Sequence, residues 1–196
     1  GTHSFPTRRS SDLILGHKVV AQQTGLMAGM MQAEITPSEA GYPHYRGPST
    51  GTHDPLYAKA VVFQQGNEKV ALVVGDLLWV ERELSVNARV RIEEKTGIPF
   101  QNIIIAGTHS HTSPAYHPNI RELTGTLRPP FDKQENTGKH DAYPQQLEDG
   151  IVNAVIKAFN LREEVSIDIL SEEVDDLAFN RRFIMKNGKV INNAGI

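Results

Sequence analysis

Apolar and polar positions along the 196-residue chain divide it into short segments of strand and helix character separated by two long polar stretches. "LMAGMMQAEITP" (26–37) reads as a first strand, ended at Thr36-Pro37 because proline pushes its neighbour out of helix. "LYAKAVVFQ" and "KVALVVGDLLWV", joined by "QGNE", predict a hairpin with Gly66-Asn67 as its turn. In "ERELSVNARVRIEEKT" (81–96) Leu84, Val86, Ala88, Val90 and Ile92 alternate as in a strand. The segment is long and rich in Glu and Arg, however, and Gly97 and Pro99 follow it, so helix is the reading. "NIIIA" (102–106) is a short continuous apolar run, as expected of a strand buried on both faces. Strand, helix and strand from 69 to 106 then form a parallel crossover unit. "PQQLEDGIVNAVIKAF" carries a helical stripe of Leu147, Ile151, Val155 and Phe159, with Val152 and Ile156 beside it. "VSIDIL" alternates as a strand, and "FIMKNGKVI" is a hairpin around Asn187-Gly188. The fold class expected is α/β, a mixed sheet with flanking helices and two long loops at one end, as a truncated part of a larger catalytic domain. The loops are 38–54, rich in glycine and proline, and 107–143. Loops of that length in a compact domain are more often functional than not.

The leader "GTHSFPTRRSSDL" has no apolar period and no hydrophobic signal region. Back-translated from His3 to Leu13, it resembles a short-read sequencing adapter. Residues 1–13 are therefore expected to be a translated artefact, with the partial catalytic domain running from 14 to 196. "KVINNAGI" stops directly after a strand-like run, which reads as a second cut.

Composition narrows the functional classes. Hydrophobic residues make up 39% and charged residues 22%, as in globular rather than disordered chains. A net charge of −3 gives no electrostatic reason to expect a nucleic-acid partner. No apolar run approaches the roughly 20 residues of a transmembrane segment. With zero cysteines, thiolate metal sites are excluded and His, Asp and Glu remain as ligands.

Chemistry gathers in "GTHSHTSP". His109 and His111 lie just past the carboxyl end of the 102–106 strand, the edge where ligand sites of open α/β sheets collect. In an extended chain residues i and i+2 point to one side. Both imidazoles could then converge on one Zn2+, with Thr108, Ser110, Thr112 and Ser113 offering hydroxyls to fix their tautomers. The competing reading is a polar loop with two unrelated histidines. Other candidates are weaker. Asp76, at a strand end, could hydrogen-bond a ligand histidine, bind an ion or cap the next helix. Asp54, beside His53, is a turn former before Pro55. His44, His117 and His140 sit in loops and read as solvated. Arg181 or Arg182 of "FNRR" could clamp an anion, although a solvated basic pair is the commoner case.

Taken in order, "AGMMQAEITP", "GTHDPLYAKAVVF", "VALVVGDLL" and "TGIPFQNIIIAGTHSHTSPA" resemble the N-terminal domain of the neutral/alkaline non-lysosomal ceramidases. "FNRRFIMKNGKVINN" resembles a stretch typical of bacterial members, so the likeness covers roughly 26–196. It implies zinc-dependent hydrolysis of an N-acyl amide, with a small-molecule or lipid substrate. The family's "THTHSGP" falls on Thr108 to Pro114, which implies that His109 is a metal ligand and His111 an accessory or catalytic partner. The family's other ligands (a His, a Glu and a Tyr) and its essential Ser are expected further along than this chain reaches, leaving the fragment inactive. The motif's glycine is Ser113 here, and 116–143 is longer and more polar than expected over a ceramide-sized lipid. Two rival readings stay open. One is another His-x-His metal hydrolase, of phosphoesterase or amidohydrolase type; the other is a non-catalytic partial binding domain.

Overall fold

A computed structural model describes residues 25–38, 40–44, 47–117, 142–172, 180 and 182–192. The adapter-like leader, Arg181, His140 and most of the second long loop lie outside the described residues. The chain forms two compact units, 22–166 and another that includes 167–196.

In the first unit the strands are β1 (Leu26–Glu34), β2 (Pro43–His44), β3 (Gly47–Pro48), β4 (Tyr57–Gln65), β5 (Glu68–Gly75), β6 (Ile103–Gly107) and β7 (Glu163–Glu164). Its helices are α1 (Arg82–Thr96) and α2 (Tyr143–Asn160), with a single 3-10 turn at Phe100–Asn102. The main sheet has the order β6-β5-β4-β1-β7, antiparallel except for the parallel pair β5–β6. This is the mixed α/β architecture expected, and α1 is the crossover between the parallel strands. Gln65 pairs with Glu68 across a two-residue turn in which Gly66 has φ 57°. Helix α1 stops where Gly97 turns left-handed at φ 66° and its N–H bonds the Glu93 carbonyl.

Both helices cover one face of the sheet. Ala58, Ala60 and Val62 of β4, Ala71 and Val73 of β5, and Ile103 and Ile105 of β6 point into this layer. Opposite them lie Leu84, Ala88 and Ile92 of α1 and Leu147, Ile151 and Val155 of α2. Burying a side chain such as Ile or Leu stabilises by about 1.5–3 kcal/mol before chain entropy is charged against it. Helix α2 comes very close to β1. A Cβ on Gly29 would lie 2.0 Å from the Ala158 carbonyl oxygen, so only glycine admits the helix end there. Between the helices, Arg91 of α1 bonds Glu148 at 2.6 Å and Asp149 at 2.7 Å on α2.

On the opposite face of the sheet Met30 and Ile104 are exposed, and Val61 and Leu72 are half-buried. Cross-strand register sets Met30, Val61, Leu72 and Ile104 in one row across it. Ile104 is 54% exposed, which corrects the expectation that "NIIIA" is buried on both sides. β6 is an edge strand of a sheet with helices on one side, so every second residue faces outward. "VSIDIL" is likewise not a strand. Pairing with β1 covers Glu163 and Glu164 and closes with the Val165 N–H on the Leu26 carbonyl. Beyond that point strand pairing does not continue among the described residues, and Ile169 and Leu170 are exposed.

In the second unit, β8 (Arg182–Ile184) and β9 (Val190–Asn192) form the expected hairpin. The Gly188 N–H bonds the Met185 carbonyl, and Gly188 has φ 78°. The loop is thus a turn followed by a left-handed glycine rather than a two-residue turn.

Candidate functional site

The register places the functional end of the sheet. Glu34 pairs with Tyr57, Ala58 with Gly75, and Gly75 with Gly107. The ends of β1, β5 and β6 and the start of β4 therefore lie together, and both long loops leave from this end, as expected. The first loop contains the small β2–β3 ladder, with the Tyr42 N–H bonded to Ser49 Oγ.

Past the parallel ladder the two chains stay side by side. The Thr108 N–H bonds the Gly75 carbonyl at 2.9 Å, and the Ser110 N–H bonds the Leu77 carbonyl at 3.2 Å. Gly107 makes this approach possible. A Cβ there would stand 2.8 Å from the Leu77 oxygen and 3.1 Å from Trp79 Cα. His109 follows with φ 62°, the one non-glycine residue in the left-handed region among those described. Such a conformation costs a non-glycine residue about 1–2 kcal/mol, so the surrounding bonds must hold it there.

His109 and His111 come together, with ring centroids 4.9 Å apart and planes at 83°. Both are solvent-exposed, on the same side of the fold. The route differs from the expected one. The segment is not extended; a left-handed residue followed by a turn at 111–113 brings the rings together. The partner that sets the tautomer also differs. Nδ1 of His109 lies 2.9 Å from the Leu78 carbonyl oxygen. A carbonyl only accepts, so Nδ1 carries the hydrogen and Nε2 keeps its lone pair. Three of the four hydroxyls proposed for that task are used otherwise: Ser110 and Thr112 bond each other at 3.1 Å, and buried Ser113 donates to the Ser110 carbonyl.

Asp76 does not cap α1, whose N-cap residue is Glu81. Its carboxylate accepts the Tyr57 N–H at 3.0 Å and lies 3.4 Å from Lys59 Nζ, locking the β4–β5 end. His53 and Asp54 form an exposed pair at 2.8 Å, and the hydrogen bond to Asp54 raises the pKa of His53. They border a cavity of about 390 Å³ whose wall includes Thr36, Tyr42, Ser49, Thr112 and Pro114. The first loop and the histidine loop thus share one cavity. His117 Nδ1 lies 3.8 Å from Glu81 Oε1. Arg182 is exposed, and its backbone N–H bonds Asn180 Oδ1.

Sequence reasoning missed Leu78 and Tyr116. Leu78 acts through a backbone carbonyl, which no side-chain pattern reveals. Tyr116 is buried, and its hydroxyl accepts the Glu81 N–H at 2.9 Å and donates to the Trp79 carbonyl at 3.3 Å. A lone tyrosine in a polar loop was the signal available.

Residues 27–185 match the family described as neutral/alkaline non-lysosomal ceramidase, N-terminal. The chain belongs to this family. Two solved structures show the same fold. The neutral ceramidase from Pseudomonas aeruginosa is 19% identical, with a TM-score of 0.54 over 71% of this chain. A structure titled "Ceramidase complexed with C2" is 20% identical, with a TM-score of 0.53 over 71% of this chain. The chain spans 22% of the length of each. Family membership and the open mixed sheet, with several strands before the histidines, set aside the barrel hydrolases that place His-x-His after a first strand.

Among the described residues no group of three or more His, Cys, Asp and Glu side chains could hold a metal ion. Rings bound through nitrogen at about 2.0–2.1 Å to one tetrahedral zinc stand roughly 5 Å apart, close to the observed spacing. A metal-bound histidine ordinarily donates its other N–H to a carbonyl or carboxylate, as His109 does. Among the described residues no helix is long and apolar enough to cross a membrane.

Proposed function

We propose that the chain is the N-terminal part of a zinc-dependent hydrolase of N-acyl amides, with His109 a zinc ligand and His111 its catalytic neighbour. One observation carries the reading: Nδ1 of His109 is committed to the Leu78 carbonyl, while the His111 ring stands against it at 4.9 Å. That pairing leaves Nε2 of His109 as a neutral donor, the form zinc takes. Bound there, zinc would lower the pKa of a water molecule toward neutrality and polarise an amide carbonyl.

The chain's own residues do the rest. His109 holds its ligating nitrogen in place through the Leu78 bond. His111 can donate a hydrogen bond to the oxyanion that develops on the amide carbonyl, or hand a proton to the departing amine. The shared cavity beside Thr112 gives one side of the amide somewhere to lie. Its wall mixes hydroxyls with Tyr42 and proline, which suits a substrate with a polar group near the scissile bond.

The chain's span of only 22% of each matched ceramidase structure supports one further point. The 196-residue chain by itself is inactive and does not retain zinc through dialysis; remaining ligands come from polypeptide outside it. The test is zinc content and N-acyl amide hydrolysis of a longer polypeptide that includes this chain, beside its His109→Ala and His111→Ala variants. The expected outcome is zinc lost with His109→Ala, and zinc kept but turnover reduced about 100-fold or more with His111→Ala. Unchanged zinc content in His109→Ala would remove His109 from the site.

A further inference from the structure

Leu78, whose carbonyl bonds the His109 ring, belongs to a strap of chain, residues 76–81, between β5 and α1. The strap is held at both ends. At its start, the Asp76 N–H bonds the Tyr57 carbonyl, and the Asp76 side chain accepts the Tyr57 N–H. At its far end one atom does the work: the Tyr116 hydroxyl accepts from the Glu81 N–H and donates to the Trp79 carbonyl. The indole of Trp79 adds a bond to Glu81 Oε1 at 2.8 Å. Leu78 lies between these anchors, beside Leu77, whose carbonyl receives the Ser110 N–H.

Tyr116 is itself on the histidine segment, five positions beyond His111. The segment that carries the two imidazoles therefore also clamps the strap that orients the first of them. The clamp needs an intact phenol, because a phenolate could not donate to the Trp79 carbonyl. Tyr116 is 5% exposed, and burial pushes its pKa up to about 12, so the proton stays through the neutral range.

We propose that Tyr116 is a positioning residue: its hydroxyl fixes the 76–81 strap, and the Leu78 carbonyl so held keeps His109 in the Nδ1–H tautomer. The inference rests on the metal-site reading above for its purpose, but not for its test. Removing the hydroxyl would leave the Glu81 N–H and the Trp79 carbonyl without that partner, and the strap would shift or loosen. His109 would then exchange one tautomer for a mixture, and its Nε2 lone pair would be available only part of the time.

The experiment is Tyr116→Phe in the 196-residue chain labelled with 15N-histidine, read by long-range 15N–1H correlation at a pH where the imidazole is neutral. Wild type should show His109 almost wholly as Nδ1–H. In Tyr116→Phe the tautomer ratio should fall about tenfold, and zinc affinity of the longer polypeptide should fall about 10- to 100-fold. Tyr143→Phe is the control. It deletes the same atom from a buried tyrosine whose hydroxyl bonds the Ile35 carbonyl, and should destabilise without moving the His109 tautomer. A tautomer ratio unchanged in Tyr116→Phe, or shifted equally by both variants, overturns the proposal. Should Tyr116→Phe fail to fold, Glu81→Pro deletes the N–H that Tyr116 accepts at a φ of −67°, which suits proline. It should shift the tautomer in the same direction, and no shift overturns the proposal equally. Failure here with zinc still lost from His109→Ala leaves the zinc reading standing. A tautomer that responds in a protein whose zinc ignores His109→Ala leaves the clamp and removes the zinc reading.

Discussion

The helix-covered face of the sheet and the loop end of the same strands are built from different materials. On the covered face Val62, Val73, Ile92, Leu147, Ile151 and Val155 are at most 1% exposed, and their order comes from close-packed apolar contact. At the loop end His109 and His111 are exposed, His109 has a positive φ, and order comes from single hydrogen bonds at Leu77, Leu78 and Tyr116. The first region holds the fold, and a change of volume there costs stability. The second is strained and polar, and is held in shape by the first. Stability and chemistry are thereby separated, so a change in one region should leave a signature different from a change in the other.

The sharpest way to break that division is Ile151→Ala, in the middle of the covered face. It should cost about 2–5 kcal/mol in urea or thermal unfolding; a loss below about 1 kcal/mol would mean that this face is not the main source of stability. Next comes Tyr143→Phe, where the two regions meet. Its hydroxyl donates to the Ile35 carbonyl at 2.6 Å, just past the end of β1. Leaving that buried acceptor unpaired should cost about 1–3 kcal/mol by the same measurement.

His109→Gly probes the loop end and should behave differently. Glycine relieves the left-handed strain, while the ring's bond to Leu78 is lost, so unfolding should move by no more than about 1 kcal/mol in either direction. Zinc binding by the longer polypeptide should disappear in the same variant. A large stability loss would show that the imidazole serves the fold rather than the site.

The smallest effect expected is at Arg91, on the surface between the helices. Its hydrogen bond holds the Asp149 carboxyl below the usual carboxylate pKa. A carboxylate depressed on folding adds stability that is present above its unfolded value and lost as pH falls through the folded one. Arg91→Met should therefore cost about 1 kcal/mol at pH 7: Arg91 and Asp149 are 38% and 45% exposed and screened by solvent, while Glu148, also bonded to Arg91, is more covered. The gap from wild type should stay constant down to about pH 4 and close below it. A gap that widens in acid would contradict the assignment.

Much of this molecule is legible in its residues, for a local reason. Alternation in β4 and β5, the 3.6-residue stripe of α2, and the Gly97 stop of α1 each report which side of a segment is buried or where a chain must turn. The placing of His109 and His111 past a strand end follows from the same local signals. What failed needed knowledge of neighbours. "NIIIA" resembles a central strand until the sheet order puts it at the edge, and "VSIDIL" alternates but pairs with no strand among the described residues beyond Val165.

Local sequence thus determined the main strands and helices, the parallel crossover and the pair of histidines at its exit. Tertiary structure alone decided that Ile104 faces outward, that His109 turns left-handed, and that a carbonyl 31 residues earlier selects its tautomer. A backbone carbonyl has no residue type to betray it. Its role exists only once distant segments become neighbours, as the 76–81 strap and the 107–116 loop do at the open end of this sheet.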